Sequence, residues 1–219
     1  MSDEFVLYEG LLWEPPDGYF LLEYHLRRLQ RSASHFRFSL DIAAVRRHLA
    51  DYSRRLPERP RKVRLELAAN GAVALKDEDV KPSTPVTVAL SSEPIDSRDE
   101  FLRHKTTRRA VFDRALAAHP EAQDVLLWNE RRELTETCHA NVVLEIDGRR
   151  LTPPLSSGLQ PGVFRAHLLD SGEVEEEVLP VDSIKAASAM FLINSVRRWC
   201  PIHLRDAGSS CEARRSTSR

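Results

Sequence analysis

Hydrophobic spacing along the first sixty residues predicts two strands followed by two helices. Residues 5–13 form a mostly apolar run that predicts a strand, and after a Pro-Pro-Asp-Gly turn residues 19–22 predict a short second one. Apolar residues then recur at intervals of three and four from Leu22 to Phe36, which predicts a helix. A second helix is predicted from Ile42 to about residue 56, with the side chain of Asp41 as its N-cap.

A change of period after residue 60 predicts a small antiparallel sheet. Residues 61–67 alternate polar and apolar positions, Asn70-Gly71 is a hairpin turn, and residues 72–75 return. Residues 84–90 predict one further strand. The stretch 91–98 is polar, contains proline and has no hydrophobic period, so it favours a linker.

The second half of the chain alternates strands with short helices. A helix is predicted around residues 110–116, strands at 125–128 and through the stretch 133–152, and a helix that begins at Pro161. A strand at 174–179, a short helix near 182–187 and a buried strand at 190–193 follow. These elements predict a mixed α/β (α+β) protein.

The linker divides the predicted elements into two small domains. We expect an N-terminal α/β domain at 1–91, a linker at 92–100, a C-terminal domain at 101–205 and a disordered Ser/Arg-rich tail at 206–219. Ligands often bind in the cleft between domains, so residues that flank the linker are the first candidates for a site.

Composition excludes several classes of function. The net charge is −1 with both signs interspersed, which argues against a dedicated nucleic-acid binder. The three cysteines have no CxxC spacing, so neither a disulfide framework nor a metal site is expected. No apolar run approaches the ~18 residues of a membrane span, and the N-terminus lacks a signal-peptide core. We expect a soluble, cytoplasmic protein.

Lysine is rare in this chain. The 32 basic residues include only five lysines, and all the others are arginines. Arginine cannot form an imine, whereas a lysine with a lowered pKa can. Lys105 stands just after the linker beside His104 and near three arginines. Neighbouring cations and partial burial lower a lysine pKa, although an ordinary exposed lysine in a basic cluster is the alternative.

A carboxylate and a candidate phosphate cradle lie within about thirty residues of each other. Glu136 is in a predicted strand, and Pro161-Gly162 lead into a predicted helix whose first N–H groups suit a phosphate. A phosphorylated heterocycle with a basic nitrogen could span the two. The alternatives are a solvent-facing glutamate and a plain helix start.

A spaced set of motifs resembles the class IV (fold-type IV) pyridoxal-phosphate enzymes. The set comprises Thr135-Glu136…Ala140-Asn141-Val142-Val143, Thr152-Pro153-Pro154, Gly158-Leu159…Pro161-Gly162…Arg165, His25-Leu26-Arg27-Arg28-Leu29, His104-Lys105-Thr106-Thr107 and Asn194-Ser195-Val196-Arg197. Within the family the likeness is greatest to aminodeoxychorismate lyase, especially the lyase-like domain fused to aminodeoxychorismate synthase. The resemblance covers about residues 5–204. It implies a second domain with a pseudo-barrel of mixed strands.

The resemblance also implies roles for individual residues around pyridoxal 5′-phosphate. Lys105 matches the family's Schiff-base lysine, Arg28 its phosphate arginine, and Glu136 the carboxylate on the pyridine nitrogen. The remaining implied cofactor residues are Asn141, Ser195, and Gly162, Val163 and Phe164 through their backbone N–H groups. Arg108 and Arg197 are candidates for a substrate carboxylate, and no metal is implied.

The implied function is a pyridoxal-phosphate lyase that converts 4-amino-4-deoxychorismate to 4-aminobenzoate and pyruvate, a step of folate precursor synthesis. A D-amino-acid or branched-chain type aminotransferase is the alternative, and a cofactor-free remnant that acts as a binding module is a third. Relatives imply a homodimer, with a separate synthase as a possible partner.

The chain departs from the family pattern at two places. Arg108 stands where many relatives have a small polar residue, and its guanidinium could bind a substrate carboxylate or crowd the cofactor. The chain also begins almost inside the motif that Tyr8-Glu9-Gly10 represents, so we expect an N-terminal domain truncated at its start relative to the family.

Overall fold

A computed structural model describes residues 4–205, and the tail expected to be disordered at 206–219 lies outside these described residues. The described chain forms two sheets. The first has four strands in the spatial order β2-β1-β3-β4, and all neighbours are antiparallel. Its strands are β1 (Leu7–Glu14), β2 (Gly18–Tyr19), β3 (Arg61–Leu67) and β4 (Val73–Asp79).

Two helices, α1 (Leu22–Phe36) and α2 (Ile42–Ser53), pack on the first sheet as the apolar spacing predicts. Their buried residues Leu26, Leu29 and Leu49 join alternate residues of β1 and β3 in one core. The Asp41 side chain accepts a hydrogen bond of 3.0 Å from the backbone N–H of Ala44, as expected for an N-cap.

The second sheet has eight strands in the order β10-β9-β8-β11-β12-β5-β6-β7, and β7 also pairs with β8. This last pairing closes six strands into a barrel, which confirms the mixed α/β fold with a barrel-like sheet. The strands are β5 (Val86–Leu90), β6 (Asp124–Trp128), β7 (Leu134–Thr137), β8 (Asn141–Ile146), β9 (Arg149–Thr152), β10 (Glu175–Glu176), β11 (Ala189–Asn194) and β12 (Arg198–Leu204).

The barrel strands are apolar on both faces because both faces are covered. In β8, Val142 and Leu144 enter the barrel core, whereas Val143 packs outward against α4 (Val163–Asp170). In β6, Leu126 lies in the barrel core and Leu127 packs against α3 (Ala110–Ala118). Burial on both sides explains the continuous apolar runs, since a half-exposed strand would alternate.

Residues 84–90 were expected in the N-terminal domain, but β5 belongs to the barrel. It lies parallel to β12 and to β6 within the barrel and does not extend the first sheet. A boundary at residue 91 would therefore separate β5 from both of its neighbours. The division that fits the pairing falls between β4 and β5.

Strand β12 is an element that hydrophobic spacing did not predict. It is central in the barrel, between β11 and β5, although it contains Pro201. Its buried positions are Cys200 and Ile202, a period of two that the proline obscures.

The two sheets are joined at the segment that follows the linker. The backbone N–H of Tyr8 donates to the carbonyl of Lys105 (3.0 Å), and Leu7 forms an antiparallel bridge with Thr106. The chain from residue 105 to 107 thus lies along the edge of β1. No helix among residues 4–205 is long and apolar enough to cross a membrane.

We predict that Gly158 tolerates no side chain. Its φ is +89°, and an added Cβ would lie 2.6 Å from the backbone Cα of Ser97. Gly158→Ala should lower the free energy of unfolding by about 2–5 kcal/mol, because backbone strain and overpacking add. Urea unfolding measures this change.

Gly148→Ala is the matched control, since Gly148 has φ +74° but an added Cβ would meet nothing within 4 Å. It should cost only the strain, about 1–2 kcal/mol. Equal losses in the two variants would contradict the packing of residue 158 against the linker.

Candidate active site

The N-terminus of α4 is anchored to β8. The helix begins at Val163 with Gly162 as N-cap, so Pro161 lies before the helix and not in its first turn as the sequence predicted. A Cβ on Gly162 would lie 1.8 Å from Asn141 Oδ1, so this contact requires glycine. The Asn141 Nδ2 donates to the carbonyl of Gln160 at 2.9 Å, which fixes the approach to the helix.

Glu136 lies in β7 opposite Asn141 of β8, and its carboxylate meets the same approach segment. Its Oε1 accepts a hydrogen bond of 2.9 Å from the backbone N–H of Gln160, and its Oε2 accepts one of 3.3 Å from Asn141 Nδ2. The residue is 5% exposed. Burial raises the pKa of Glu136 to about 8 against the opposing effects of the Gln160 N–H and the charge of Lys105. The protein therefore holds a buried acid that a cationic group would ionise.

Arg28 of α1 is buried and doubly paired with Glu9 of β1. Its Nε lies 2.9 Å from Glu9 Oε1 and its Nη2 2.5 Å from Oε2, while Nη1 donates to the carbonyl of Pro161 at 3.2 Å. His25 Nδ1 also lies 2.7 Å from Glu9 Oε2. Burial disfavours the charged carboxylate, but Arg28 and His25 outweigh it and lower the pKa of Glu9 to about 2. Arg28 is thus fixed next to the start of α4.

A cleft of about 640 Å³ opens between α1 and α4. Arg28, Gly162 and Val163 are among the residues that line it, so the predicted phosphate arginine and the helix N-terminus face one space. The side chains of Val163 and Phe164 are buried, which leaves their backbone as the part that a ligand could contact.

Lys105 is half-buried at the edge of β1, and its Nζ lies 4.7 Å from the centroid of the Tyr8 ring. Burial lowers its pKa, and the charges of Arg28 and Arg109 act in the same direction, whereas Tyr8 and Glu9 oppose them. Because Lys105 also shifts the pKa of Glu136, the two groups share one electrostatic environment. The predicted lysine and carboxylate are therefore near enough for the charge of one to act on the other.

Ser195 completes the group at the end of β11. Its hydroxyl lies 3.3 Å from the carbonyl of Gly10, the residue after Glu9, and the residue is 7% exposed. The strand ends in a turn in which Asn194 Oδ1 accepts hydrogen bonds from the N–H groups of Val196 and Arg197. Ser195 therefore lies beside the strand that positions Arg28.

The two arginines predicted to bind substrate lie in different places. The Arg108 guanidinium lies over the rings of Phe101 (4.7 Å) and Phe5 (5.4 Å) and lines a second cleft, distinct from the one that Arg28 lines. Arg197 is half-buried in the turn after Ser195.

Sequence reasoning missed two residues of this group. Glu9 had a signal, since a carboxylate within an apolar strand needs a buried partner. Arg109 had none, because nothing in the pattern separates it from Arg108. In the structure Arg109, not Arg108, reaches Tyr8 and the carbonyl of Cys138.

Comparison with known proteins places this geometry in a family. The family model for amino-transferase class IV matches residues 6–204. The chain belongs to the class IV aminotransferases.

Its relatives carry both lyase and aminotransferase names. A protein of Schizosaccharomyces pombe named "putative aminodeoxychorismate lyase" is 30% identical in an alignment of 212 positions that covers 90% of this chain and 86% of the yeast protein. The crystal structure of a "putative amino-acid aminotransferase" from Mesorhizobium loti superposes with a TM-score of 0.85 at 35% identity, over 92% of this chain and 100% of the other. The PLP-bound form of a hypothetical aminotransferase from Mycobacterium tuberculosis has a TM-score of 0.81 at 20% identity, over 91% and 81% of the two chains.

The cofactor of class IV aminotransferases is pyridoxal 5′-phosphate, and the residues present here fit it. Lys105 has an amine with a lowered pKa, which suits an aldehyde. Glu136 is a buried acid suited to a pyridine nitrogen, and the start of α4 beside Arg28 suits the phosphate.

We predict that the stability of the cofactor-free protein depends on pH through Glu136. The folded protein keeps this proton up to about pH 8, whereas the carboxyl ordinarily releases it near 4.5. The folded state then binds more protons between these values, so stability falls as pH rises, by at most about 1.4 kcal/mol per unit. Glu136→Gln should remove this slope.

Urea unfolding of both proteins at pH 5, 6.5 and 8 measures the effect. Relative to wild type, Glu136→Gln should gain stability as pH rises to 8. Glu145→Gln, on the half-buried end of β8, is the control and should follow wild type. A constant difference between Glu136→Gln and wild type would contradict the raised pKa.

Proposed function

We propose that this chain is a pyridoxal-phosphate lyase that converts 4-amino-4-deoxychorismate to 4-aminobenzoate and pyruvate. The observation that carries the proposal is the likeness, over 90% of the chain, to the yeast relative named for this reaction. The His104-Lys105-Thr106-Thr107 and Asn194-Ser195-Val196-Arg197 motifs support it, since both have the lyase form.

The residues that would hold the cofactor surround the start of α4. Lys105 would hold its aldehyde carbon, Glu136 its ring nitrogen, and Arg28 and Ser195 its phosphate together with the N–H groups of residues 162–164. Asn141 holds Glu136 and the carbonyl of Gln160 in place through one amide. Arg28 already uses three of its donors on Glu9 and Pro161, so at most two N–H bonds remain for a phosphate.

When bound, the cofactor supplies an electron sink for the bonds around the substrate's amine-bearing carbon. Lys105 provides the proton transfers. Its lowered pKa leaves a larger fraction as the free amine near neutral pH, which is the form that accepts a proton. Because its backbone is paired to β1, the amine is positioned at a high effective concentration.

Glu136 controls the charge at the ring nitrogen. In the absence of a cation its burial favours the neutral acid, so a proton is already present where a pyridine nitrogen would take it. The Gln160 N–H and Asn141 amide then stabilise the carboxylate that remains. Each of these donors is fixed by the backbone or by packing.

The substrate carboxylates need cations at the rim of the site. Arg197 is our first candidate because it follows Ser195 directly, and Arg108 would contribute only by leaving its aromatic neighbours. We also propose a homodimer, as is typical of the family. A synthase that delivers the substrate is a possible partner.

An amino-acid aminotransferase is the second candidate. The Mesorhizobium loti structure that supports it is 35% identical and carries that name. The same lysine could move a proton within the substrate and let an amino group pass to a keto acid.

The two reactions differ in their products, which gives a direct test. With 4-amino-4-deoxychorismate and no added keto acid, the lyase should release pyruvate and 4-aminobenzoate in equal amounts, measured by coupled lactate dehydrogenase and by fluorescence. Lys105→Ala should lose turnover by about 10²–10⁴-fold, the usual contribution of a general acid–base.

Lys185→Ala is the control, because Lys185 is exposed on a short helix and pairs with Asp182. It should retain wild-type turnover. Amino transfer from an amino acid to a keto acid, with no pyruvate formed from the chorismate derivative, would replace the lyase by the aminotransferase.

A further inference from the structure

Arg109 contacts both β1 and the turn after β7. Its Nη2 donates to the carbonyl of Cys138 at 2.6 Å, and its Nη1 lies 3.4 Å from the hydroxyl of Tyr8. Cys138 is two residues beyond Glu136, whereas Tyr8 is in β1. The Arg109 guanidinium therefore connects the turn after β7, the strand that carries Glu136, to β1, along which Lys105 lies.

The Tyr8 ring is the surface against which the lysine lies. Its centroid is 4.7 Å from Lys105 Nζ and 4.0 Å from the Cζ of Arg64. Tyr8 is 8% exposed, so its hydroxyl has few alternatives to Arg109 as a partner. The Tyr8 side chain thus contacts Lys105, Arg64 and Arg109.

We propose that Arg109 is a positioning residue of the active site that fixes the phenol of Tyr8 against Lys105 by bridging β1 to the turn after Glu136. The proposal rests on the proposed role of Lys105 but not on which substrate is used.

The charge of Arg109 acts in the same productive direction on both groups. It disfavours the ammonium of Lys105, whose pKa is lowered mainly by burial, and it favours the carboxylate of Glu136, whose pKa burial raises. Burial opposes ionisation of Tyr8 as well, yet Lys105, Arg109 and Arg64 lower its pKa. A free amine is the form that reacts with an aldehyde, and an ionised acid is the form that stabilises a protonated pyridine ring.

A pair of substitutions separates position from charge. Arg109→Gln removes both the charge and the bridge, whereas Arg109→Lys keeps the charge but cannot span two partners, because it lacks the planar fork. Arg114→Gln, on the exposed face of the same helix, is the control. Near-UV circular dichroism and urea unfolding establish that each variant is folded.

The first readout is the rate at which the cofactor-free protein captures pyridoxal phosphate, followed by visible absorbance. Arg109→Gln and Arg109→Lys should both capture it about ten- to a hundredfold more slowly, which corresponds to one lost hydrogen bond of a charged group. Tyr8→Phe should be slowed as well, and the double variant Tyr8→Phe/Arg109→Gln no further than the slower single variant. Additive losses, or wild-type rates in the single variants, would overturn the proposal.

The second readout is the titration of Lys105 in the cofactor-free protein, observed by NMR with labelled lysine, which is practical because the chain has five lysines. Lys105 should titrate at higher pH in Arg109→Gln and as in wild type in Arg109→Lys and Arg114→Gln. If Arg109 only supported the fold, Lys105 would titrate at the same pH in Arg109→Gln as in wild type. If Arg109→Gln does not fold, Arg109→Lys and Tyr8→Phe carry the test.

These readouts do not require turnover. If the wild-type protein captures the cofactor but forms neither lyase nor aminotransferase products, the proposed function fails while the role of Arg109 stands or falls on the capture rates and the titration.

Discussion

Among residues 4–205, Glu136 is buried without an ion-pair partner, and this is the constraint on which the candidate site depends. A carboxylate at this depth is costly to ionise, and its pKa rises to about 8 as a result. It is tolerated because the N–H of Gln160 and the amide of Asn141 satisfy its oxygens. The same amide and the absent side chain of Gly162 fix the start of α4. A ring nitrogen and a phosphate would therefore meet groups that are positioned by one shared set of contacts.

The second half of the site comes from the first sheet. β1 carries Tyr8, Glu9 and Gly10 in succession, and these contact Lys105, Arg28 and Ser195 respectively. Each contact reaches a different element: the segment after the linker, α1 and the end of β11. Strand β1 therefore contacts both the lysine and the groups proposed to hold the phosphate. The candidate site accordingly lies where the two sheets meet.

Local pattern predicted local structure well. Helices α1 and α2 and strand β3 were predicted from the spacing of three and four after Leu22, the Asp41 cap and the alternation after residue 60. Each of these patterns is set by neighbours along the chain. The pairing of strands was harder to predict from the sequence. The pairing of β5 with β12 and β6 was not predicted, because these partners are far away in sequence. β12 was not predicted because Pro201 hides its alternation, although its partner β11 directly precedes it.

The candidate site shows the same division. Lys105, Glu136 and Arg28 were proposed because a family motif surrounds each, and the charges of Lys105 and Arg28 both act on the pKa of Glu136. No role in contacting Tyr8 was predicted for Arg109, because the sequence does not show which way residues 108 and 109 face. The path of residues 105–107 along β1 decides that Arg109 reaches Tyr8.

Reduction of the cofactor-loaded protein with borohydride, followed by peptide mass mapping, tests most directly whether Lys105 holds the cofactor. The reagent fixes the pyridoxyl group to the lysine that holds it. The account predicts a single modified residue, Lys105, out of five lysines. A pyridoxyl group on any other lysine, or none after loading with pyridoxal phosphate, would contradict it.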